Sequence, residues 1–129
     1  QLLDHKNVKL LYMNSQELIQ LIRDNDLHEL FCQFGESYEN ITDCIKEYDK
    51  YLDFDKILID LKLNNVESVN SVYNSDELYN IVYFKDYNIY IKFIGEYDSY
   101  GNYDHDFTES NWAKMKEVFP KIIEQTIYE

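Results

Sequence analysis

Two short runs decide most of what this chain can become. Leu78–Phe84 contains Tyr79, Ile81, Val82, Tyr83 and Phe84, and Ile89–Ile94 contains Tyr90, Ile91 and Phe93. β-Branched and aromatic side chains dominate both, as a pleated, half-buried surface favours. Between them stands the polar tetrad Lys85-Asp86-Tyr87-Asn88. Two such runs joined by four polar residues predict an antiparallel hairpin. A hairpin needs something to cover its apolar face, and the rest of the chain must supply it.

The first half has helical period. Asn14 with Glu17 three residues later forms a capping-box signature, followed by Leu18, Ile19, Leu21 and Ile22 on one face. Asp26 with Glu29 repeats the cap pattern ahead of Leu27, Leu30, Phe31 and Phe34. A third helix is expected from Asn40 or Thr42, with Ile41, Cys44, Ile45, Tyr48 and Leu52 at helical spacing. Residues 54–63 fit a helix or a mixed element, because Ile57, Ile59, Leu61 and Leu63 alternate while Leu58 breaks the alternation. Val66, Val69 and Val72 open the strand-rich half. Residues 95–111 read as a loop. Trp112–Phe119 reads as a helix ended by Pro120, and Lys121–Tyr128 as a last strand. The expectation is one α+β domain over residues 1–129. Its helical half (about 14–55) packs on a small, mostly antiparallel sheet from the strand-rich half (about 64–129).

Charge then narrows the function. The chain has 129 residues with a net charge of -13, and 45% of them are hydrophobic, which argues against disorder. The phosphate backbone repels such a chain, so direct nucleic-acid binding is not expected. No window approaches about 18 uncharged apolar residues, so no membrane span is expected. Residues 1–30 lack the pattern of a secretory signal, which points to the cytoplasm of a bacterial host. Cys32 and Cys44 are then expected as reduced, partly buried thiols.

The acidity is concentrated. Residues 24–55 carry ten acidic side chains and two lysines, a net of -8, and residues 93–113 carry five acids and no base. These windows hold the whole imbalance. In a helix, Glu39, Asp43 and Glu47 would stack at i, i+4 and i+8, with neighbouring carboxylates about 6 Å apart. That spacing is near the one between successive phosphates of DNA. Holding like charges so close costs about 0.2–0.5 kcal/mol per pair, a cost that fits a field used on a partner. A solvated acidic face, with Lys46 and Lys50 partly neutralising it, is the bland alternative. In the second window Glu96, Tyr97, Asp98, Tyr100, Tyr103, Asp104 and Asp106 alternate carboxylates with rings. Arg or Lys of a partner can pair with the former and stack on the latter. With Glu36, these form the candidate partner-binding set.

Catalytic chemistry finds little support. The histidines His5, His28 and His105 are scattered, and His28 is expected at the surface or half-buried. The residues from Asp98 to Asp106 lack the spacing of a calcium loop, and three glycines leave no phosphate cradle. No cofactor, metal site or enzymatic activity is expected.

The segments Tyr79–Asp86 and Tyr90–Gly101, with Val66–Val69 before them, resemble small phage and prophage proteins. Those carry a hairpin, a Gly-x-Tyr-x-Ser-Tyr loop (here Gly95 to Tyr100), an acidic segment, a Val-x-Pro-Lys element (here Val118 to Lys121) and a final Tyr-Glu. The resemblance spans residues 66–129. One alanine and one arginine in the chain fit coding in an AT-rich genome. By analogy of class and charge, the resemblance implies an inhibitor of a basic, nucleic-acid-binding host defence protein, of the anti-CRISPR or DNA-mimic kind. An immunity protein or antitoxin neutralising a basic toxin would share the same electrostatics.

Overall fold

The computed structural model describes residues 13–48, 53–74, 77–95 and 114–121. Among these residues, four helices, α1 (Ser15–Asp24), α2 (His28–Ser37), α3 (Ile41–Tyr48) and α4 (Phe54–Leu61), precede four strands. These are β1 (Val66–Tyr73), β2 (Leu78–Phe84), β3 (Ile89–Ile94) and β4 (Met115–Val118). The sheet is fully antiparallel in the order β1-β2-β3-β4, and α1 and α2 pack directly on it. The expected α+β class is the observed one.

Local chemistry explains most boundaries. Asn14 and Glu17 form the anticipated reciprocal cap of α1, with the Glu17 amide donating to Asn14 Oδ1 at 2.8 Å. Asn40 caps α3 by accepting from the Asp43 amide at 2.9 Å. Asp53 does the same for α4 through the Lys56 amide. Asp26 does not start α2. It takes a left-handed φ of 53° and closes α1, with its own amide bonded to the Arg23 carbonyl and the Leu27 amide to the Ile22 carbonyl. Lys62, at φ 58°, closes α4 by the same paired bonds, from Lys62 to Ile59 and Leu63 to Leu58. Glycine usually fills this position. A chain with three glycines uses Asp and Lys instead.

The hairpin forms as anticipated, with 85–88 as its turn and Asn88 at φ 55°. Residues 54–63 resolve as helix over Phe54–Leu61. A bulge between Ser68 and Asn70 leaves Val69 exposed and puts Val66, opposite buried Phe84, and Val72, opposite Tyr79, on different faces. The helix expected over Trp112–Phe119 is corrected: Met115–Val118 is strand β4, paired to β3. Its apolar residues do recur at helical spacing. The free edge of β3 offers four residues a ladder that a short isolated helix cannot match. Of the strand expected over Lys121–Tyr128, Lys121 is not in a strand and 122–128 lie outside the described residues.

The core lies between the helices and one face of the sheet. Leu18 and Ile22 of α1, Leu30, Phe31 and Phe34 of α2, and Leu58 of α4 are fully buried with Val82, Ile91 and Phe93 of the sheet. Phe31 is its centre, edge-on to Phe84 at 5.1 Å and stacked on Phe93 at 5.3 Å. Cys32 and Cys44 are both buried in the core, deeper than the partly buried thiols expected.

Candidate functional site

α3 packs on α2 rather than on the sheet, so it forms an outer layer. Its inner face is Ile41, Cys44 and Ile45; Asp43, Lys46 and Glu47 are exposed. Glu39 is exposed too, but Asn40 starts the helix after it. The expected three-carboxylate stack therefore shortens to two helical carboxylates, Asp43 and Glu47, with Glu39 just ahead of the cap. Tyr38 donates its hydroxyl to Glu47 Oε2 at 3.3 Å, which places a ring beside a carboxylate. Among the described residues no ion pair joins Asp43 to Lys46; the ion pair seen is Lys56–Asp60 on α4, at 2.5 Å. Asp53 and Asp55 at the start of α4 are exposed as well.

Of Glu36, only the backbone in α2 is described. Glu96, Tyr97, Asp98, Tyr100, Tyr103, Asp104 and Asp106 lie outside the described residues, as does the rest of the candidate metal loop from Asp98 to Asp106. The stems of that segment are placed, because β3 leads into it and β4 follows it as β3's antiparallel neighbour. Among the described residues, no group of three or more His, Cys, Asp or Glu side chains converges on a potential metal position. No described helix is long and apolar enough to cross a membrane.

His28 corrects its expectation. As the first residue of α2 it turns inward, 5% exposed, with its ring edge-on to Phe93 at 5.8 Å. Burial lowers its pKa to about 4; backbone hydrogen bonds at Ile94 and Lys114 oppose this, and the Lys114 charge adds to it. His28 thus bridges both stems of the acidic segment. An unfolded histidine titrates near 6.5, so between 6.5 and about 4 the unfolded chain binds a proton that the folded one rejects. Stability is complete above that window and falls as the pH drops through it, by up to about 3 kcal/mol. Chemical denaturation at neutral and acidic pH should show this slope reduced in His28→Phe. An identical pH dependence in both proteins would contradict it.

Sequence reasoning missed the network joining α2 to the sheet. Asn80 is fully buried; its Nδ2 donates to the Phe31 carbonyl at 2.8 Å, and its Oδ1 accepts from Ser68 Oγ at 2.6 Å. Ser71 donates to the Gly35 carbonyl at 3.2 Å and Tyr73 to the Cys32 carbonyl at 2.5 Å. The legible signal was Asn80 itself, a lone amide at an inward position of an otherwise apolar strand.

No protein-family profile, curated protein or solved structure matches the chain.

Proposed function

We propose that this protein is a non-enzymatic inhibitor that binds a basic protein through the acidic side of its helical layer. The observation that carries this reading is the outward pair Asp43 and Glu47 on α3, flanked by Glu39 and Tyr38, in a window with a net charge of -8. Exposed carboxylates on a rigid helix present a field without needing to be ordered on binding. Tyr38, half-buried against the core, steadies the Glu47 carboxylate through its hydroxyl. A nucleic-acid-binding effector has the complementary groove, and an acidic helix can occupy it as a DNA mimic. The resemblance of residues 66–129 to phage proteins supports an origin in a phage or mobile element and a host defence target of the anti-CRISPR kind.

The double reversal Asp43→Lys with Glu47→Lys tests this. Both positions are exposed, so the thermal midpoint should stay within a few degrees, as surface substitutions cost about 0.5 kcal/mol or less. Capture of a basic partner from a bacterial lysate should fall at least about tenfold, because two attractive contacts become repulsive. Undiminished capture by a folded double variant would remove this surface from the account.

A further inference from the structure

The helices cover one face of the sheet. The opposite face presents Tyr79, Ile81 and Tyr83 from β2, Tyr90, Lys92 and Ile94 from β3, and Lys116 and Val118 from β4. A solvated antiparallel face normally carries polar side chains. Here five of the six outward positions on the two central strands are Tyr or Ile. Tyr83 and Tyr90 stack at 4.3 Å, a rigid aromatic pair in the middle of the face.

The cations on this face are placed unusually. Lys92 and Lys116 are direct cross-strand partners, so their side chains leave the sheet side by side. Like charges directly opposite one another destabilise a sheet. Neither lysine has a carboxylate partner among the described residues. Lys92 Nζ lies over the Tyr79 ring, 4.2 Å from its centroid. Beside it is a depression of about 240 Å³ lined by Glu77, Leu78, Tyr79, Lys92, Ile94 and Gly95. One cation, Lys92, thus stands at a hollow of mixed polarity, whose apolar wall is Leu78, Tyr79 and Ile94 and whose rim also carries Glu77.

We infer that this face is a second docking surface, taking a partner polypeptide that carries a carboxylate next to an apolar side chain. The carboxylate sits against Lys92 and Lys116 and relieves their opposition. The apolar side chain enters the hollow between Tyr79 and Ile94. A polypeptide suits the site better than a nucleic acid: one or two carboxylates meet two lysines, whereas a polyanion would also face the net charge of -13. The surface is independent of the acidic helix, from which the sheet separates it.

The test is an amide NMR titration of the whole chain with three probes: an end-blocked peptide of alternating Glu and Leu, its Gln counterpart, and a thymidine oligonucleotide. The Glu peptide should shift Tyr79, Lys92, Ile94 and Lys116, and the Gln peptide should bind about tenfold more weakly, the loss of about 1.4 kcal/mol of charge-assisted contact. Lys116→Glu keeps the control honest. It turns the opposed pair into an attractive one, so the thermal midpoint should hold or rise while Glu-peptide binding disappears. Equal binding of the two peptides, no shifts at these residues, or tighter binding of the oligonucleotide there would each overturn the assignment.

Discussion

Gly35→Val should be among the most damaging single substitutions in the helical layer, lowering stability by about 3 kcal/mol or more. A Cβ at this position would lie 2.4 Å from Asn80 Oδ1, 2.6 Å from Ser68 Oγ and 2.8 Å from Asn80 Cγ. None of these can retreat cheaply. Asn80 is fully buried and anchored to the Phe31 carbonyl, and Ser68 is bonded to Asn80. A glycine inside a helix normally costs about 0.5–1 kcal/mol relative to alanine, so Gly35→Ala would be stabilising on propensity alone. The close approach of α2 to β1 and β2 reverses that sign. A double-mutant cycle isolates this contact, because Asn80→Ala removes two of the three clashing atoms. Gly35→Ala should then cost much less in the Asn80→Ala background than in the wild type. Strict additivity in urea denaturation would show that the contact is not the cause.

Phe31→Ala should cost about 3–5 kcal/mol, the usual toll for deleting a buried aromatic. The ring is fully buried and is the member of the core that touches both Phe84 and Phe93. Its loss opens a cavity where the central helix meets the two central strands, and those strands cannot close it without breaking the β2–β3 register. Small domains are stable by about 5–15 kcal/mol, so the variant should retain a fold with a strongly lowered thermal midpoint. Phe31→Leu should recover more than half of the loss. If Phe31→Ala melted within a few degrees of the wild type, Phe31 would not be the centre of the core.

The contrast between these residues and the rest shows what could be read from the sequence. The hairpin was legible because both strands alternate cleanly and share a polar turn, so local chemistry and tertiary need agree. The cap at Asn14 was legible because side-chain capping is a contact within three residues, while Asn40 stood as one of two candidate starts for its helix. Asp26 was misread because a polar residue before an apolar run suits the end of one helix as well as the start of the next. β4 was misread because Met115–Val118 becomes a strand through the edge of β3, a partner more than twenty residues earlier. The Gly35–Asn80 contact and the Lys92–Lys116 opposition bring together residues distant in sequence, so no periodicity reports them. Of the acidic surface, Glu39, Asp43 and Glu47 emerged as exposed, but the cap at Asn40 divided the stripe.

In the proposed function, concentrated negative charge on the helical layer drives association with a basic protein. The most direct measurement is the affinity for the captured partner as a function of salt, for the wild type and for Asp43→Lys with Glu47→Lys. Exposed charges are screened beyond about 8–10 Å at physiological ionic strength, so wild-type affinity should fall steeply as salt rises. In the double variant it should be weaker at low salt and fall less steeply. Wild-type affinity that is the same at low and high salt would contradict the claim.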